Sequence, residues 1–145
     1  MGKIRIREAS REDLDAVYEI EKQSFKDPYS MDFLGFLYEV DRKTFLIAEK
    51  DGVVVGYIIA AVEKNLGHIV SIAVHPLERN KKVGRAMMDK VLKILKASDA
   101  TLVRLEARRS NIEAQSFYEA LGFKRSHVLE NYYCDEDALI YFKQL

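Results

Sequence analysis

A lone cysteine, Cys134, among 145 residues has no partner for an internal disulfide and cannot build a cysteine-rich zinc site. The three histidines, His68, His75 and His127, are scattered without ligand spacing, so no metal is expected. Tryptophan is absent, and the two prolines and seven glycines fall singly, which leaves no Pro- or Gly-rich linker. No run approaches the ~20 apolar residues that a membrane span requires, and residues 1–7 lack the apolar segment of a secretory signal. Neither sign of charge dominates: basic and acidic residues both number 23, so no global field draws the chain to nucleic acid or anionic lipid. These absences point to a soluble cytoplasmic protein with no membrane partner, in which any polyanion site must be local. A chain of this size can hide roughly 70% of its unfolded surface, enough for one domain spanning residues 1–145 without staples.

What is present is patterned. Ile4, Ile6 and Glu8 alternate with basic residues, as in a half-buried strand. Ser10 and Asp13 form an acidic variant of the capping box, predicting a helix from Arg11 to about Ser24 with Leu14, Val17, Tyr18 and Ile20 on its apolar face. Ser30 can cap a second helix. Thr44–Lys50 and Val53–Lys64 read as strands joined by an Asp51-Gly52 turn. Asn65-Leu66-Gly67 reads as a further tight connection into a strand from His68 to Val74. After Pro76 the period becomes helical, with Val83, Met87, Val91 and Leu95 in one stripe. A strand over Thr101–Ala107 would set Val103, Leu105 and Ala107 against Leu102, Arg104 and Glu106. Asn111 begins the next helix, Gly122 ends it, and strands from Phe123 and over Ala138–Phe142 close the chain. The order β-α-α-β-β-β-α-β-α-β-β implies an α/β mixed sheet with a parallel pair across the helix after Pro76.

Between that strand and helix lies a basic turn, Arg79-Asn80-Lys81-Lys82-Val83-Gly84-Arg85. Free N–H groups at a helix N-terminus bind phosphate without a dedicated side chain, and flanking cations add attraction. On charge alone the turn reads sooner as a solvated surface than as a phosphate site. A mononucleotide P-loop is excluded because the G-x-x-x-x-G-K-[ST] spacing is absent.

The wider segment SIAVHPLERNKKVGRAMM resembles motif A of the GNAT superfamily of N-acetyltransferases, whose strand, R-x-x-G-x-G/A turn and helix hold the pyrophosphate of acetyl-CoA. Arg79 and Gly84 match; Lys82 stands at the first glycine position, and a positive φ there would carry a steric cost. LEARRSNIEAQSFYEALGF looks like motif B, with Asn111, Ala114, Tyr118, Gly122 and Phe123 in register. FKDPYS, GHIVSIAV and NYYCDEDALI are similar to segments of the RimI-type and archaeal N-terminal (Nα) acetyltransferases, with Tyr29 where Trp is frequent and Cys134 where Pro is. The resemblance implies the GNAT fold: a mixed, mostly antiparallel sheet flanked by about four helices, with splayed central strands forming the acetyl-CoA cleft.

By that resemblance acetyl-CoA is the co-substrate, its arm running along Ile72, Ala73 and Val74 and its phosphates lying at Arg79, Asn80, Lys81, Lys82, Val83, Gly84 and Arg85. Asn111 and Tyr118 would also touch it. Glu106 takes the position of the proposed general base, His68 that of a polar residue helping it through water, and Tyr118 that of the proton donor to the departing thiolate. Each residue has a plainer reading: Glu106 as an ion-paired strand residue beside Arg104 and Arg108, His68 as structural, Tyr118 as core, Asn111 as a helix N-cap. Phe25, Pro28 and Tyr29, with His68, Tyr132 and Tyr133, would close over an N-terminal peptide, ribosomal proteins being among the substrates implied. An α-amine of pKa ~8 is about one-tenth neutral at pH 7, whereas a lysine at ~10.4 is neutral only in a few parts in ten thousand, so an α-amine needs modest help. The competing readings are an acetyltransferase for lysine or small-molecule amines and a non-catalytic acyl-CoA-binding module. Nucleic acid has no support beyond the basic turn, and the oligomer is left as a monomer or homodimer. His75, His127 and Cys134 receive no role.

Overall fold

A computed structural model of the chain describes residues 2–79 and 82–145. Strand β1 (Ile4–Glu8) leads into helices α1 (Leu14–Ser24) and α2 (Met31–Val40), and then into the meander β2 (Phe45–Lys50), β3 (Val53–Glu63) and β4 (Leu66–Val74). Helix α3 (Val83–Ala97), strand β5 (Leu102–Arg108), helix α4 (Ile112–Ala120) and strands β6 (Lys124–Leu129) and β7 (Ala138–Gln144) follow. The strands form one seven-stranded sheet in the order β1-β2-β3-β4-β5-β7-β6, mixed as expected, with β4 and β5 its parallel pair. No described helix is long and apolar enough to cross a membrane.

Apolar side chains pack on both faces of the sheet. On one face Val83, Met87, Met88, Val91 and Leu95 of α3 lie against Ile58, Ala60, Ile69, Val103 and Leu105. On the other, Val17 and Ile20 of α1 and Leu34 and Leu37 of α2 cover Phe45, Ile47, Tyr57 and Ile59. The long apolar β3 is covered on both sides, as its unbroken hydrophobic run requires. Gly67 allows close packing of these layers, since a Cβ there would stand 3.1 Å from Leu95 and 3.3 Å from Val103.

Strand ends shift from the sequence expectation by one or two residues, as at β5 (Leu102–Arg108) and β7 (Ala138–Gln144), and two further differences have a visible cause. Residues Arg11–Asp13 form a 3-10 turn, and the α-helix starts only at Leu14. The capping contact survives, with the Ser10 N–H donating to Asp13 Oδ2 at 2.7 Å, but Arg7 also grips Asp13 at 2.7 and 2.9 Å and pulls the first turn onto β1. The second correction concerns Leu66 and Gly67, which belong to β4 rather than to the turn before it. Glu63 pairs with Leu66 across a two-residue Lys64-Asn65 turn in which Lys64 takes φ 57°. Asp51-Gly52, by contrast, is the expected two-residue turn, both residues having positive φ.

The sheet opens where β4 meets β5. The two strands pair only at Leu66–Leu102, Gly67–Val103 and His68–Arg104, and beyond that point each stays with its other neighbour, β3 or β7. Val70 is a bulge residue opposite β3, since Ile59 pairs with Ser71 and Ala60 with Ile69. A bulge bends and twists its strand, which turns the end of β4 away from β5 and leaves a gap through the sheet.

Candidate functional site

The donor side of the gap is made of main chain. His75 N–H donates to Val55 O at 2.7 Å, so strand alternation aims the N–H groups of Val74 and Ile72 away from β3 and into the gap. A cavity of about 690 Å³ lies there, lined by Ile72, Ala73 and Val74, by Arg79, Lys82, Val83, Gly84 and Arg85 at the start of α3, and by Asn111 and Tyr118. The expected contacts at Asn80 and Lys81 lie outside the described residues. Arg79 is folded back, its Nε donating to Val74 O at 3.0 Å and its Nη2 to Ser24 Oγ at 3.1 Å, and so ties the turn to β4 and α1. Lys82 stands at the helix N-cap in the left-handed region, φ 65° and ψ 15°. Gly84 leaves room for α4, because a Cβ would come within 3.1 Å of the Phe117 ring. A strand end with free N–H groups, a helix N-terminus and exposed Lys82 and Arg85 fit the polar arm and phosphates of a CoA thioester.

Glu106 and His68 meet just where the parallel pairing ends. His68 Nε2 is 2.8 Å from Glu106 Oε1, and the Glu106 side chain is only 11% exposed. Arg104 Nε lies 3.0 Å from the other oxygen without the angle of a hydrogen bond. Glu106 is thus both ion-paired, as its plainer reading held, and open to a second cavity of about 630 Å³. With Nε2 donating to the carboxylate, His68 keeps Nδ1 as an acceptor. Arg108, the other arginine beside Glu106 in sequence, turns elsewhere.

Tyr118 and Asn111 line both cavities. Tyr118 is packed beside Phe117, Phe123 and Tyr141 at centroid distances of 5.5–6.2 Å. Burial and then the nearby Glu106 charge push its phenol above the ordinary range, so the hydroxyl stays protonated at neutral pH. Asn111 caps α4, its side chain accepting from Ala114 N–H at 3.1 Å.

The second cavity has the expected Phe25, Tyr29, Tyr132 and Tyr133 in its wall. Pro28 is in the same loop as Tyr29 but not in the wall, and His68 reaches the cavity through Glu106. Burial raises the phenols of Tyr29, Tyr132 and Tyr133, with the Glu106 charge adding to each.

Two residues that sequence reasoning missed hold this wall. Glu21 of α1, 2% exposed, accepts from Tyr29 N–H at 3.0 Å, from Ser71 Oγ at 3.2 Å and from the Tyr57 hydroxyl. A glutamate on the buried face of an otherwise amphipathic helix was the available signal. Arg108, at the end of β5, donates to Asp27, Asp135 and Glu136 at 2.8–3.0 Å and sits 4.3 Å over the Tyr133 ring. Lys26 and Arg108 hold the Asp135 carboxyl down at about 2.

The model of the acetyltransferase (GNAT) family matches residues 14–123. An N-alpha-acetyltransferase of Sulfurisphaera tokodaii is 37% identical over 150 residues, covering 94% of this chain and 90% of its own. The crystal structure of Ard1 from Thermoplasma volcanium superposes with a TM-score of 0.94 at 31% identity, over 98% of this chain and 97% of that one. The ribosomal-protein-S18-alanine N-acetyltransferase of Escherichia coli superposes at 0.87 with 26% identity, over 98% and 94% of the two chains.

Proposed function

This chain belongs to the acetyltransferase (GNAT) family, and on that premise we propose that it transfers the acetyl group of acetyl-CoA to the free α-amino group of protein N-termini. The observation that carries this reading is the His68–Glu106 pair, 2.8 Å apart, at the point where a main-chain-lined cavity and a tyrosine-walled cavity meet through the sheet. One cavity suits a thioester and its phosphates; the other suits an extended peptide whose first residue reaches the carboxylate.

Glu106, through a water shared with His68, takes a proton from the α-ammonium. The freed amine attacks the thioester carbonyl carbon, the new N–C bond forms, and the Val74 N–H meets the oxyanion that develops. Collapse breaks the C–S bond, and the Tyr118 hydroxyl donates to the departing thiolate; the second amine proton leaves to solvent. A thiol of pKa ~8.5 is more acidic than this phenol, so Tyr118 acts mainly by its hydrogen bond. An α-amine suits this apparatus better than lysine, because a single carboxylate and an imidazole need remove only a proton of pKa ~8.

The test is acetyl-CoA turnover on peptides that vary the first residue, each with a free or a blocked N-terminus and an internal lysine. A ribosomal-protein N-terminus belongs in the panel, given the Escherichia coli neighbour. Turnover confined to free N-termini is the expected result. Turnover of blocked peptides would overturn the acceptor assignment in favour of lysine.

A further inference from the structure

Arg108 joins two loops that are remote in sequence and face each other across the tyrosine-walled cavity. Its Nη2 donates to Asp27 in the α1–α2 loop at 2.8 Å. Its Nη1 donates to Asp135 and Glu136 in the β6–β7 loop, both at 3.0 Å, and the guanidinium plane lies over Tyr133 in that same loop. Lys26 adds a parallel tie from the α1–α2 loop to Asp135. The Arg108 side chain is only 18% exposed and rises from the end of β5, two residues after Glu106.

We propose that Arg108 is a positioning residue for the acceptor: it clasps the α1–α2 loop to the β6–β7 loop and so sets the width of the peptide mouth above Glu106. This rests on the acceptor reading given above. The two loops are not equally dependent on the clasp. The β6–β7 loop has further anchors, with Arg109 Nη1 donating to Asp137 at 3.1 Å and Ser110 N–H and Oγ donating to Glu136 at 3.1 and 3.0 Å. Across the mouth, the α1–α2 loop is held by Asp27 and Lys26 alone among the described contacts, while Glu21 fixes its far end at Tyr29. Without Arg108, Asp27 would face Asp135 and Glu136 with only Lys26 between them, and like charges would push the mouth open. Only a planar fork with several donors can serve three carboxylates and stack on a ring at once, so lysine is no equivalent.

The test compares R108Q, R108K and D27N by steady-state kinetics with peptide and acetyl-CoA varied separately, and by hydrogen exchange of the whole chain. R108Q is expected to raise the peptide KM about tenfold or more while the KM for acetyl-CoA stays within about twofold, since misplacing an acceptor loop costs positioning and leaves donor binding intact. R108K should fall between wild type and R108Q. D27N should raise the peptide KM several-fold alone, and in its background the effect of R108Q should shrink, as expected of partners in one network. Exchange at residues 25–30 should quicken in R108Q and D27N with α3 unchanged. A rise in acetyl-CoA KM equal to that for peptide, or additive effects of R108Q and D27N, would overturn the clasp. Should R108Q fail to fold, D27N with an exposed side chain and R108K carry the same comparison. Exchange needs no turnover, so slow exchange retained at residues 25–30 in both variants refutes the clasp even if the acceptor proves to be lysine.

Discussion

On the α3 side of the gap the groups proposed to hold the donor are main chain, Ile72 and Val74 N–H and the start of a helix, close together along the sequence. On the α1 side they are side chains drawn from α1, β3, β4, β5 and two loops, held by polar contacts that are buried or partly buried around Glu21 and exposed around Arg108. The first mouth can hold one chemically constant ligand, since main-chain geometry varies little with side-chain identity. The second can be retuned by changing single side chains, which suits an acceptor that varies. Tyr118 belongs to both, and Glu106 to the second alone.

The sharpest way to test this division is E106Q. The amide keeps the size and a contact to His68 but cannot take a proton. A general base contributes roughly a hundredfold or more, so kcat at neutral pH is expected to fall by about that factor while acetyl-CoA affinity, measured by calorimetry, stays put. Loss of acetyl-CoA affinity in E106Q would mean that the two mouths are not separable.

Tyr118→Phe probes the shared residue and ranks next. The ring and its packing on Phe123 and Tyr141 remain, and only the hydroxyl goes. A fall in kcat of about tenfold to a hundredfold is expected, with both KM values little changed. The sign of the pH dependence follows from the raised phenol: the protonated form persists above the ordinary value of about 10, so in wild type Tyr118 imposes no alkaline fall in kcat below that pH. An alkaline limb near pH 8 to 9 that vanished in the Phe variant would contradict this assignment.

Legibility in the sequence follows the same division. Arg79 and Gly84 lie within six positions in a local strand-turn-helix context, so the donor side was legible as a resemblance to motif A, and Tyr118 and Asn111 as a resemblance to motif B, although spacing alone reads as a solvated turn, a core tyrosine and a helix cap. The acceptor wall could be read only as far as its aromatic residues. What holds those residues is long-range: Arg108 and Asp27 are 81 positions apart, Lys26 and Asp135 109, and Glu21 and Ser71 50. Periodicity reports which face of an element is apolar, but not which remote carboxylate an arginine reaches. The late start of α1 has the same origin, since the grip of Arg7 on Asp13 comes from the neighbouring strand and not from the helix's own residues.

Glu21→Ala tests whether the acceptor wall depends on buried polar anchoring. Three donors, from Tyr29, Tyr57 and Ser71, would lose their acceptor in a buried setting. An orphaned buried donor costs about 1–3 kcal/mol, so a stability loss of about 2–4 kcal/mol in chemical denaturation is expected after partial relaxation and water entry. The peptide KM should rise as Tyr29 is released. A variant as stable as wild type would show that this wall tolerates the loss, and that its polar contacts are not what fix it.

Lys82→Gly has the smallest expected effect and bears on the main-chain side. A lysine in the left-handed region costs about 1–2 kcal/mol, and a glycine there avoids that strain but gives the unfolded chain about 0.5–1 kcal/mol more conformational entropy to lose. The net is a gain of about 0.5–1 kcal/mol, or roughly 1–4 °C in Tm for a chain of this size. Lys82→Ala keeps the Cβ and hence the strain, so it should bring no such gain. If the phosphates are held mainly by main-chain N–H groups, K82G should also leave the KM for acetyl-CoA within about threefold, because only one exposed and well-screened charge is removed. A large rise in both K82G and K82A would instead make the Lys82 ammonium a principal phosphate contact, and the strained turn would then be the cost of placing that charge rather than a departure the main chain tolerates.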